Sequence, residues 1–242
     1  MELLRYKKYD INWIIKNQMG FNPLYLTEWG LDTIEPNNNH TILDLACGKA
    51  ISSIFIANEY NCKVFAYDLW IKPTENLQRV KEFNLESLII PLHGDARELP
   101  FSDEYFDYII CTDAFIYFGT DDTYIPYIKK FIKIGGYLVI TVPGFPNQEP
   151  KIIPDYLKPF WADECWTWHN PEWWERHISR YEYYNIKQLE VLQNGIEKWI
   201  EWKKIRKNLE PENKSLDIDI KVMEEDNSKN MGFIKIVAQR IK

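Results

Sequence analysis

Between residues 41 and 143 the chain repeats one rhythm, a short apolar run of strand length followed by apolar residues at helical spacing, and this alternation restricts the possible folds more than any other feature. The strand candidates are Thr41 to Leu45, Lys63 to Asp68, Leu88 to His93, Tyr108 to Thr112 and Gly136 to Pro143. Ile51, Ile54, Phe55 and Ala57 make a helical stripe after the first strand. Leu77, Val80 and Phe83 make a weaker one before the third. A further helix, about Asp122 to Ile132, is predicted to end at Gly135-Gly136, as helices often end on glycine. Strands separated by helices of this length need right-handed crossovers, which build a parallel sheet covered on both faces. The predicted fold class is α/β, doubly wound.

The flanks do not share the rhythm. In residues 1–36, Ile11, Ile14, Ile15 and Met19 stand at helical spacing. A break at Gly20 to Pro23 precedes Leu24, Leu26, Trp29, Leu31 and Ile34, so two short helices are expected to cap the core. After the core (41–143), residues 144–183 read as an insert that begins with a proline-rich loop and holds a helix from Pro171 to about Arg180, started by Asn170-Pro171. Residues 184–242 hold a sixth strand near Tyr184 to Leu192, a helix from Gly195 to about Lys207 and a last strand over 232–238. Half of the residues from Glu201 to Asn230 are charged, which predicts a solvated, partly mobile segment. All four parts are expected to form one domain.

Composition excludes several classes. A net charge of −7 without a basic block disfavours nucleic acid, whose affinity comes largely from phosphate contacts. No apolar run reaches the roughly 18 residues of a membrane span, and Met1 to Lys8 lacks the pattern of a signal peptide, so a cytoplasmic protein is expected. Cys47, Cys62, Cys111 and Cys165 form no CxxC pair, which argues against zinc and against a disulfide framework; no metal site is expected. Five of the ten Trp, at 161, 166, 168, 173 and 174, crowd into fourteen positions of the insert. Two readings are open. They pack the insert onto the sheet, or with Trp13, Tyr25 or Trp29 they hold a cationic amine against ring faces.

Three features fall at the carboxyl ends of consecutive strands, the edge where open α/β sheets bind ligands. Asp44-Leu45-Ala46-Cys47-Gly48 leads from strand through a tight turn into a helix. Asp68 closes the next strand twenty residues after Gly48, the spacing at which an acid receives ribose hydroxyls. Gly94-Asp95-Ala96 follows the third strand and offers a carboxylate and an N–H to an adenine edge. Together they outline an adenosine.

These segments, with Phe106-Asp107-Tyr108-Ile109-Ile110-Cys111 and the corner Lys133-Ile134-Gly135-Gly136-Tyr137-Leu138, resemble the class I S-adenosylmethionine-dependent methyltransferases, particularly the small-molecule group of the type 11 and ubiquinone-biosynthesis kind. The resemblance covers about 100 of the 242 residues and implies a Rossmann-like methyltransferase fold with a mostly parallel, seven-stranded sheet. It also implies S-adenosylmethionine as cofactor, S-adenosylhomocysteine as product, and a small-molecule substrate. By the same resemblance Asp44 holds the methionine amino group, Ala46 and Gly48 line the methionine, and Asp68 takes the ribose. Leu69 packs on adenine, Asp95 and Ala96 bond its edge, and Thr112 and Asp113 meet the methionine side. Ala46 and Ala50 stand where the family usually has glycine, and Lys49 beside them is atypical.

The catalytic candidates are Tyr117 and His93, after the fourth and third strands, and His169 in the Trp-rich insert. The function expected is methyl transfer to a small molecule, an amine if the aromatic rings form walls, with the N-terminal helices and the insert closing over the substrate. The alternatives are an adenosyl-binding protein without turnover and, disfavoured by the missing GxGxxG, a nicotinamide-dependent oxidoreductase. The acceptor atom and the oligomeric state are left open by the sequence.

Overall fold

The computed structural model describes residues 3–242. Two short helices come first. α1 (Ile11–Asn17) is capped by the Asp10 carboxylate, which accepts from Asn12 N, and α2 (Pro23–Gly30) is capped by Asn22 with proline in its first turn. Then follow β1 (Thr41–Leu45), α3 (Ile51–Tyr60), β2 (Lys63–Asp68), α4 (Pro73–Glu82), β3 (Ile89–His93), β4 (Phe106–Thr112), α5 (Tyr124–Ile128) and β5 (Ile132–Gly144). The chain ends with α6 (Pro171–Ser179), β6 (Tyr184–Val191), α7 (Gly195–Leu209), α8 (Lys214–Asp226) and β7 (Gly232–Arg240).

The seven strands form one sheet in the order β3-β2-β1-β4-β5-β7-β6. All pairs from β3 to β5 are parallel, while β7 runs antiparallel to both β5 and β6. Ile42, Leu43 and Leu45 of β1 are fully buried, as expected of a central strand covered on both faces. Strand order reverses between β1 and β4, and that reversal opens a crevice beyond their carboxyl ends. The expected fold class is the one found.

Two expectations are corrected. The helix predicted over 122–132 is helical only at Tyr124–Ile128, and a tight 3-10 turn at Lys129–Phe131 feeds straight into β5, which starts four residues before Gly136. Gly135-Gly136 therefore kinks a strand instead of ending a helix. Gly135 sits at φ +85°, a Cβ on Gly136 would lie 2.7 Å from the Asp107 carbonyl, and the β4–β5 register shifts there. The charged segment 201–230 is a helical pair rather than a solvated tail. Lys203–Asp219, Lys204–Glu224 and Lys207–Asp217 join α7 to α8, and Leu216, Val222 and Met223 are buried beneath them. Its charges have partners about ten to twenty residues away, which composition alone does not reveal.

Candidate functional site

A cavity of about 350 Å³ lies at the carboxyl ends of β1 to β4, within the size range of small-molecule sites. Its floor is the turn between β1 and α3. Ala46, Gly48 and Ala50 take φ values of +56°, +53° and +58°, so both alanines adopt the left-handed conformation that glycine usually supplies. Gly48 meets the left-handed backbone angle without strain, and a Cβ there would come 2.9 Å from the flexible Met19 side chain, which would have to shift. The strained turn brings Ala46 and Gly48 into the cavity wall.

The four carboxylates differ in their environment. Asp68 ends β2, lines the cavity and is 6% exposed. It accepts from Gly48 N at 2.8 Å on one oxygen and from Trp70 N and Ile71 N at 2.7 and 2.8 Å on the other, so it fastens the turn and keeps limited capacity for a ligand. Asp95 lines the cavity beyond β3, and its Oδ1 accepts from Arg97 N. Asp44 is fully buried beneath the wall and is not part of it. Ser52 and Ser53 donate to its Oδ2, its Oδ1 has no partner, and burial pushes its carboxyl up to about 6. The wall side chain above it is Ser52, so Asp44 acts on the cavity through a hydroxyl. Asp113 ends the β4 segment at φ +61°, and burial pushes its carboxyl up to about 7 even though it accepts from Phe21 N at 3.3 Å. Thr112 beside it shares a hydrogen bond with Thr27 at 3.1 Å.

The roof comes from residues 17–23, the link between the two N-terminal helices. Asn17, Met19, Gly20 and Phe21 all face the cavity. Arg79 donates to Asn17 Oδ1, Trp202 Nε1 donates to the Gly20 carbonyl, and a Cβ on Gly20 would fall 2.0 Å from Asp113 Oδ2. In the sequence Gly20 reads as a helix break, and the missing side chain also permits the close approach to Asp113. Trp70 was missed. It is 65% exposed and meets Tyr117 edge-on at 5.7 Å, so an aromatic pair flanks the mouth beside Leu69. Burial raises the Tyr117 hydroxyl to about 12, and Ala96 completes the adenine-side wall.

Two catalytic candidates lie outside the cavity wall. His93 ends the outermost strand, is exposed and does not line the cavity. His169 is held within the insert, 2.9 Å from Glu149 and stacked 3.6 Å over Trp173, and burial lowers its pKa. The Trp cluster packs. Trp174 is fully buried against Phe115, and Trp168 sits among Phe145, Phe160 and Trp199. No insert residue lines the cavity, so the insert does not close over it. Trp13 meets Phe83, Tyr25 meets Tyr6, and Trp29 lies beneath Lys235, so the proposed aromatic walls do not assemble. All four cysteines are free and buried.

The sheet order and its cavity place the chain among the doubly wound α/β proteins that bind small ligands at a strand-order reversal. Residues 42–136 match the family model described as a methyltransferase domain. A sarcosine/dimethylglycine N-methyltransferase of Halorhodospira halochloris is 26% identical over 111 residues, which cover 46% of this chain and 40% of that protein; the match thus spans less than half the relative's length. Among solved structures, phosphoethanolamine N-methyltransferase 2 of Haemonchus contortus, in complex with S-adenosyl-L-methionine, has TM-score 0.75 at 18% identity over 96% of this chain and 56% of its own. Geranyl diphosphate C-methyltransferase of Streptomyces coelicolor, in complex with S-adenosyl-L-homocysteine, has TM-score 0.71 at 14% identity over 89% and 78%. One of these neighbours is by name an N-methyltransferase and the other a C-methyltransferase, so the shared fold does not choose an acceptor atom.

Proposed function

We propose that the protein is an S-adenosylmethionine-dependent methyltransferase acting on a small amine. The observation that carries this reading is that Asp68 and Asp95, from successive strand ends, line one cavity floored by the Gly48 turn. The donor set suits an adenosyl group, with carboxylates at the β2 and β3 ends and a cavity of suitable size. The matched relative acts on sarcosine and dimethylglycine by name, which favours an amine over other acceptors.

When bound, the cofactor supplies an electrophilic methyl group on a sulfonium. The chain's own task is to align the acceptor nitrogen, exclude water and remove a proton. An amine that arrives as an ammonium must lose that proton before its lone pair is free. Asp113 is the proton acceptor of choice, because its carboxyl titrates near neutrality. Tyr117 keeps its proton at neutral pH and serves as a hydrogen-bond donor and ring face rather than a base. A second reading, adenosyl binding without turnover, draws on the absence of both histidine candidates from the cavity.

Calorimetric titration with S-adenosylmethionine, S-adenosylhomocysteine and NAD, followed by a methyl-transfer assay on glycine, sarcosine and simple alkylamines, separates the readings. Adenosyl binding with transfer to an amine is expected. Binding without transfer to any acceptor supports the second reading, and NAD binding alone would sink both. Asp68→Ala should weaken S-adenosylhomocysteine about 30-fold or more, since it removes a charged acceptor and loosens the turn it fastens.

A further inference from the structure

Two cations line the cavity, and their situations are opposite. Arg97 is spent: it donates to Asp95 Oδ1 at 3.3 Å and to the Tyr117 carbonyl at 2.9 Å. Lys49 is half-buried in the wall directly after Gly48, and its one hydrogen bond among the described residues is a long one, 3.4 Å, to the Lys16 carbonyl. No carboxylate of the described residues pairs with it, although an ammonium offers three donors. The ammonium therefore keeps donors to spare at the cavity wall, and a ligand with a negative group at that point can take them up. The field beside it has the same sign. The N-cap of α3 is Ala50, with no side-chain cap, so the positive end of a ten-residue helix begins next to Lys49 in the chain.

We infer that Lys49 receives the carboxylate of an amino-acid group bound in this cavity, and that this group is the amino-acid end of the cofactor lying along the Gly48 turn. The inference rests on the methyltransferase reading for the presence of an adenosyl ligand. It assigns a chain-specific contact to a residue atypical of the family. An amino-acid acceptor is the other source of such a carboxylate, but the place of Lys49 directly after Gly48, in the turn that floors the cavity, favours the cofactor.

The test compares S-adenosylhomocysteine with 5′-methylthioadenosine, which keeps the adenosine and the sulfur but lacks the amino-acid group, by calorimetry on the full chain. Wild type should bind S-adenosylhomocysteine more tightly. Lys49→Gln should weaken it roughly tenfold or more, the usual loss for one charge-assisted hydrogen bond, and leave 5′-methylthioadenosine within about twofold. Lys49→Arg should restore most of the difference. If Lys49→Gln shifts both ligands equally, or neither, the inference is wrong. In a third arm, sarcosine is titrated into protein loaded with S-adenosylhomocysteine; if Lys49→Gln abolishes that binding while sparing S-adenosylhomocysteine, the carboxylate belongs to the acceptor and the cofactor assignment is overturned. Should wild type bind neither nucleoside, the adenosyl reading itself fails, before any variant is made.

Discussion

The two ends of the sheet use their loops in opposite ways. Beyond β3, β2, β1 and β4 the connections are rich in small and acidic residues, and they leave a cavity whose floor is strained and beneath which one oxygen of the buried Asp44 has no partner. Beyond β5, β7 and β6 the insert and α7 bring many rings into contact. Trp161, Trp168, Trp174 and Trp199 are packed so tightly that their indole N–H groups find no acceptor. Both ends therefore carry orphaned polar atoms, for different reasons. At the cavity end, chemistry keeps capacity in reserve; at the insert end, ring burial outweighs a lost hydrogen bond, because an aromatic side chain contributes more by burial than one such bond costs. A high density of aromatic residues was thus a sign of core, and the sparse segment was the site.

The comparison breaks most clearly at Trp174. Trp174→Ala should destabilise the chain by about 3–5 kcal/mol in urea unfolding, yet leave adenosyl affinity of the folded protein within about twofold. Lost affinity at unchanged stability would show that the insert belongs to the site after all.

A smaller effect is expected beneath the cavity floor. Burial raises the Asp44 carboxyl to about 6, so between roughly pH 4 and 6 the folded chain retains a proton that the unfolded chain has released. Stability should therefore be greatest below that window and fall as pH rises through it, by up to about 3 kcal/mol from this group. Asp44→Asn should flatten the fall in urea midpoints measured from pH 4 to 7. A remaining decline up to about pH 7 is expected from Asp113, whose raised carboxyl has the same sign. An unchanged slope in the variant would mean that Asp44 is not the group being neutralised.

The smallest effect sharpens the account of the strained turn. Ala46 is half-exposed and left-handed, so Ala46→Gly should relieve about 1–2 kcal/mol of backbone strain against about 0.5–1 kcal/mol of added chain entropy, a net stabilisation of up to about 1 kcal/mol. Ala50→Gly should gain less, since the Ala50 methyl is fully buried. If Ala46→Gly destabilises the protein, the left-handed turn is not where strain is stored.

The legible parts of the fold were those written locally. β1, β2 and the acids ending their segments stand where apolar runs and turn residues put them, and once crossovers are right-handed the parallel arrangement follows. The charged stretch 201–230 misled because charge density looks the same in a solvated tail as in two helices joined by ion pairs. The placement of His93 and His169 outside the cavity wall was illegible for a related reason: nearness in sequence to a strand end or a helix start says nothing of the direction in which a ring faces.

By itself, then, the sequence determined the alternation, the sheet and the row of acids along its carboxyl edge, because each depends on periodicity and spacing within a few tens of residues. Only the tertiary structure decided which groups face a ligand. The roof is held where Phe21 meets Asp113 and Gly20 meets Trp202, across 92 and 182 residues of chain, and Lys49 donates to the Lys16 carbonyl with no carboxylate partner among the described residues. Whether a charge is spent or spare depends on which neighbours folding brings to it, and no local pattern records that.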